Sequence, residues 1–129
     1  MWVLFDTGVS SDVPDGVVYT ELHKTVQKGS RAVLTCQFYG TPLAVYWKKG
    51  DDPRSAPNLI TWFGKQPQTE TGSCVEDKTC EMGDRFSLII KNTSIADQGR
   101  YICRVSNYQG YLIHNFTDVK VFGEKNYDV

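Results

Sequence analysis

A chain of 129 residues with fourteen basic and fifteen acidic side chains suits one domain with a sizeable core, and its net charge of −1 excludes attraction to nucleic acid or an anionic membrane by bulk field. Seven Tyr, six Phe and three Trp beside eleven Gly favour strands and turns over helices. Four cysteines and two Asn-x-Ser/Thr acceptors, Asn92 and Asn115, point to an extracellular setting, and no stretch reaches the roughly 20 apolar residues that membrane insertion requires.

In chain order, residues 1–16 are rich in Gly, Ser, Asp and Pro and read as a flexible leader or appended sequence, too short in apolar run for a signal-peptide core. Within them, Asp6-Thr7-Gly8 resembles the catalytic loop of aspartic proteases. Those enzymes need a second such loop so that two carboxylates share a proton, and this chain has no second copy. Short β-favouring runs follow at Val17–Val26, Arg31–Phe38, Leu43–Lys49, Asn58–Phe63, Asp77–Met82, Arg85–Lys91, Gly99–Ser106 and Tyr111–Phe122. Turn chemistry separates them at Lys28-Gly29-Ser30, Met82-Gly83-Asp84 and Asn107-Tyr108-Gln109-Gly110. Residues 123–129 read as a tail or linker. Alternation places Ala32, Leu34 and Cys36 on one face, Val45 with Trp47, and Phe86, Leu88 and Ile90 on a third inward stripe.

Cys36, then Trp47, then Asp97-Gln98-Gly99-Arg100-Tyr101-Ile102-Cys103 strongly resembles the immunoglobulin superfamily over about Val17 to Phe122. The resemblance implies an all-β, immunoglobulin-like two-sheet Greek-key sandwich over 17–122. It implies a Cys36–Cys103 bridge between sheets about 10 Å apart, with Trp47 packed on it, Tyr101 at a tyrosine corner, and Leu88 and Asp97 among the core positions. The room between Trp47 and Asp97 matches a variable-type (V-type) domain. With the first bridge so assigned, Cys74 and Cys80 are left as an extra local disulfide, worth roughly 2 kcal/mol at most. Variable domains commonly pair a basic residue with the Asp of this motif, and either Lys78 or Arg85 is available to Asp97. The Phe-Gly-x-Gly bulge of rearranging antigen receptors is missing, and the hairpin from Arg104 to Gly110 is short. Both features resemble a germline-fixed immune-type or adhesion receptor.

No nucleophile elbow, phosphate loop or metal-spaced His/Cys cluster appears, so the expectation is a binding module, without cofactor and not an enzyme. With Trp47, Tyr101 and Cys103 inward, Tyr46, Lys48, Ile102 and Arg104 are expected outward on the front sheet, bordered by Trp62, Tyr108 and Tyr111. Aromatics and Arg are enriched at interface hot spots. The expected partner is a protein, either another immunoglobulin-type domain or a second copy in a homodimer. Loops Tyr39–Pro42, Gly64–Gly72 and Asn107–Gly110 offer an alternative surface for a soluble or microbial ligand. Asn92 falls at a turn, where a glycan is harmless. Asn115 falls in the last strand, where a sugar would cover part of the front sheet.

Overall fold

The run expected as one strand from Val17 to Val26 forms two, β1 (Val18–Thr20) and β2 (His23–Gln27), in different sheets. The structure, a computed structural model, describes residues 16–64, 69–108 and 112–123; Asp6-Thr7-Gly8 and Tyr111 lie outside them. β1 runs antiparallel to β4 (Cys36–Phe38), whereas β2 runs parallel to β11 (Leu112–Phe122). Between them the Asp118 N–H donates to the Leu22 carbonyl at 2.9 Å. The N-terminal segment therefore covers a strand edge in each layer, which removes two templates for unwanted pairing.

The front layer has six strands in the order β2-β11-β10-β5-β6-β7, with β5 at Pro42–Lys49, β6 at Asn58–Phe63, β7 at Thr69–Thr71 and β10 at Gly99–Asn107. The back layer joins β1–β4 to the ladder β3-β9-β8, where β3 is Ala32–Leu34, β9 Leu88–Ile90 and β8 Cys80–Met82. β3 and β4 are the two halves of the expected Arg31–Phe38 run, parted at Thr35. This is the all-β two-sheet sandwich that the cysteine and tryptophan pattern implies.

Inward side chains from both layers make one core. Leu34, Leu88, Val45, Trp47, Ile60, Tyr101, Cys103 and Val105 are each almost completely buried. The Cys36–Cys103 disulfide crosses the core with a Cα–Cα distance of 6.3 Å, and Trp47 sits directly opposite Cys103 in the β5–β10 register. The Trp47 indole N–H donates to the Phe86 carbonyl at 2.8 Å, so its one polar atom is satisfied inside. The Tyr101 hydroxyl donates to the Asp97 carbonyl and closes the expected tyrosine corner. Asp97 itself is only half-buried, so it belongs to the corner at the sandwich base and not to the core.

Two expected strands are shorter than the sequence suggests. Of Asp77–Met82 only Cys80–Met82 pairs, because Ser73–Glu76 forms a helical turn, α1, whose Cys74 is bridged to Cys80 with Cα atoms 5.2 Å apart. Gly72 enters that turn at φ 143°, with any Cβ falling 2.3 Å from the Leu59 carbonyl, so only Gly fits. Of Arg85–Lys91 only Leu88–Ile90 is strand. Asp84–Phe86 is a tight turn in which Arg85 and Phe86 both adopt left-handed φ. That turn aims the Phe86 carbonyl at the Trp47 indole and lays the Phe86 ring between Phe38 (5.6 Å) and Trp62 (4.8 Å).

Candidate recognition surface on the front sheet

Period-2 alternation assigns the outward face of the front sheet. β5 contributes Ala44, Tyr46 and Lys48; β10 contributes Arg100, Ile102, Arg104 and Ser106; β11 contributes Leu112, His114, Phe116 and Asp118; β6 contributes Thr61 and Phe63. Register gathers these into cross-strand rows. The upper row is Phe63, Ala44, Ser106, Leu112; the next is Thr61, Tyr46, Arg104, His114; the third is Lys48, Ile102, Phe116.

The third row is covered by the protein's own chain. The loop 50–57 folds up over the sheet, where the Lys48 ammonium donates to the Ala56 carbonyl and the Arg104 guanidinium to the Pro53 carbonyl, each at 3.0 Å. Beneath it Lys48 is only 6% exposed and Ile102 only 1%. Burial, and then the neighbouring Arg104 charge, hold the Lys48 pKa below the ordinary lysine value, with Asp52 partly countering. The loop is internally braced. Ala56 N–H donates to the Asp52 carbonyl (2.9 Å), Arg54 N–H to the Asp52 carboxylate (2.8 Å) and Gly50 N–H to the Arg100 carbonyl (2.9 Å). The Arg54 N–H is also the main reason the Asp52 carboxyl sits below its ordinary pKa. A Cβ on Gly50 would lie 2.9 Å from that of Ala56, so the loop closes this tightly only over Gly.

Beside the loop, Arg100 makes a two-pronged ion pair with Asp118 (2.8 and 3.0 Å) and its guanidinium lies 3.8 Å over the Phe116 ring. These charges and this aromatic face are engaged within the domain.

The upper half of the face has no such cover among the described residues. Phe63 is 41% exposed and Leu112 49%, with Tyr46 half-buried and edge-on to Phe63 at 6.3 Å. Ala44 is a small, buried floor between them. Exposed His114 and half-buried Arg104 form a polar lower border. Tyr39 and Tyr108, also exposed, stand at the same end, where Asn107 pairs with Pro42 and Gly64 N–H donates to the Leu43 carbonyl. Exposed Phe63, Leu112, Tyr39 and Tyr108 at this one end make it the candidate interaction surface.

The immunoglobulin V-set domain family matches residues 19–122. The chain is a member of the immunoglobulin V-set family. Mouse hemicentin-1 is 32% identical over 99 residues, a match covering 76% of this chain and 1% of that protein, so the chain spans a very small part of its curated relative. Among solved structures, murine CEACAM1b superposes with a TM-score of 0.69 at 14% identity, covering 81% of this chain and 54% of that one. The first immunoglobulin-like domain of human CD48 antigen superposes at 0.66 and 18% identity, covering 84% and 88%. Among the described residues no helix is long and apolar enough to cross a membrane.

This V-set chain departs from the sequence-based site in particular ways. Trp62, expected at the docking face, points inward with Ile60 and packs on Phe86. Ile102 and Lys48 do point outward but are roofed by the 50–57 loop, and Arg104 is tied to the same loop. Tyr46 is half-buried on the outward face of β5 opposite Arg104, and Tyr108 is exposed just after β10. Neither Lys78 nor Arg85 pairs with Asp97, whose carboxylate accepts from Ser94 N–H (2.7 Å) and hydroxyl (3.2 Å) in a capping box. Asn92 is exposed. Asn115 does not lie on the front face: it shares the inward parity of Thr117, donates to the Val18 carbonyl (3.0 Å) and accepts from Phe116 N–H (2.8 Å). Phe63, Leu112 and His114 were missed, although each is opposite in parity to a more buried neighbour, Trp62 or Ile113.

Proposed function

We propose that this V-set domain is an extracellular protein-recognition module of the receptor or adhesion type, acting by binding and not by catalysis. It docks on an immunoglobulin-type partner domain, or on a second copy of itself, through the upper half of its front sheet. The observation that carries this reading is the asymmetry of that face: its lower half is filled by the 50–57 loop, while the Phe63–Leu112 row, with Tyr46 behind it, stays open. Rigid aromatic and aliphatic side chains on paired strands lose little conformational freedom when a partner covers them, which favours hot spots there. The polar border of Arg104 and His114 supplies orientation at the rim.

The test is a screen of the glycosylated protein against cell-surface ectodomains, with Phe63→Glu, Leu112→Glu and a Lys120→Glu control on the exposed lower part of β11. Binding lost in the first two and kept in the control is expected. Undiminished binding by both front-sheet variants overturns the reading and moves the site elsewhere. Sedimentation velocity on the protein alone at high micromolar concentration separates the two partner classes, since a second copy gives a dimer that Phe63→Glu disrupts.

A further inference from the structure

At the base of the sandwich, away from the proposed docking face, lies a cavity of about 420 Å³, within the size range of small-molecule pockets. Its floor is apolar, made by buried Leu88 and Ile90 with half-buried Leu59. Its rim is polar and exposed, and includes Lys78, Lys91 and Asn92. Among the described residues no ion pair joins the two layers at this end; Lys91 pairs only within its own layer, with Glu81 at 3.9 Å. Asp97, which also lines it, spends its carboxylate on Ser94, and the Lys49 ammonium donates to the Ala96 carbonyl.

Lys78 is left-handed at φ 60° because it closes the C-terminal cap of α1, where Lys78 N–H donates to the Val75 carbonyl (3.1 Å) and Thr79 N–H to the Cys74 carbonyl (3.0 Å). Its ammonium, at the rim, makes no ion pair among the described residues. Asn92, the acceptor of Asn92-Thr93-Ser94, is itself part of the lip. A sugar on its side-chain nitrogen starts at the mouth of the cavity.

We propose that this cavity seats the first N-acetylhexosamine of a glycan on Asn92. A pyranose ring has an apolar C–H face and an equatorial fringe of hydroxyl and acetamide oxygens. The first matches the Leu59 and Ile90 side chains of the floor; the second accepts from the Lys78 ammonium and from that of Lys91, which also stands 3.9 Å from the Glu81 carboxylate. Tethering makes the contact intramolecular, so weak individual interactions suffice to hold the ring in place. The sugar takes the place of a charge bridge across the sandwich base and leaves the front sheet free.

The experiment uses protein secreted by glycosylating cells, trimmed enzymatically to one N-acetylglucosamine per site, with occupancy of Asn92 read by peptide mass and methyl groups isotopically labelled. Nuclear Overhauser contacts from the acetamide methyl of that sugar to Leu59 and Ile90 are expected, with shifted methyl resonances relative to Asn92→Gln. Methyl spectra superimposable on those of Asn92→Gln, or an unmodified Asn92, overturn the proposal. So does a cavity that takes free N-acetylglucosamine in Asn92→Gln while the tethered sugar leaves the same methyls unmoved, since that result assigns it to a free saccharide.

Discussion

Replacing Lys48 by Met keeps the aliphatic stem that lies under the 50–57 loop and deletes the ammonium that reaches the Ala56 carbonyl at 3.0 Å. A hydrogen bond from a charged donor contributes about 1.5–3 kcal/mol, and a buried carbonyl left without a partner costs about 1–3 kcal/mol. Working against that loss is relief from burying an ammonium that burial and Arg104 already disfavour. The Arg104 bond to Pro53 still holds the other end of the loop. The expected net effect is a loss of about 1 kcal/mol, or about 5 °C in melting temperature for a domain of this size. Amide exchange gives the local readout, because Ala56 N–H and Gly50 N–H are both engaged in holding the loop. In Lys48→Met these amides exchange about fivefold faster, in proportion to a local loss of about 1 kcal/mol. Core amides such as those of Leu88 and Cys103 follow global stability alone. Unchanged exchange at both loop amides, with an unchanged melting temperature, would refute the assignment of Lys48 as the latch.

The buried and open halves of the front face respond oppositely to mutation. Ile102→Ala costs about 3 kcal/mol in denaturant unfolding and leaves ligand affinity of the folded fraction intact, while Phe63→Glu changes stability by less than about 0.5 kcal/mol and abolishes binding. Tyr101→Phe loses the bond to the Asp97 carbonyl and about 1 kcal/mol at neutral pH, measured by urea titration. Burial raises the Tyr101 phenol above its ordinary pKa of 10.0, so above that pH the unfolded chain releases a proton that the folded chain keeps. Stability therefore falls as pH climbs past about 10, and this part of the fall is absent in Tyr101→Phe. The Arg100 guanidinium holds the Asp118 carboxyl below its ordinary value of 3.8. The pair's contribution is complete above that pH and disappears as pH falls through the lowered value, so Asp118→Asn flattens the acid limb of the stability curve.

The sandwich is legible in the sequence wherever one residue type alone can meet the demand. Cys36 and Cys103 staple the layers, Trp47 fills the space beside them, and Tyr101 reaches the corner carbonyl. Trp62 was equally open to reading, since it shares parity with Ile60 while Thr61 and Phe63 take the other face. Ile102 was not. Alternation gives its direction correctly, but its burial depends on a loop whose path follows from Gly50, Asp52 and two cations, Lys48 in β5 and Arg104 in β10. The left-handed turn at Arg85 and Phe86 is also invisible in a β-favouring run, because it answers a tertiary demand, an acceptor for the Trp47 indole. The division of Val17–Val26 between layers has the same character: a change of sheet leaves period-2 alternation little altered.

The most direct measurement is an amide-exchange footprint of this domain with and without the strongest ligand from the ectodomain screen. Protection concentrated at Ala44–Tyr46, Thr61–Phe63 and Leu112–His114 is the expected result. Protection confined to the back-layer strands Ala32–Leu34 and Leu88–Ile90, or to the 50–57 loop, would contradict it.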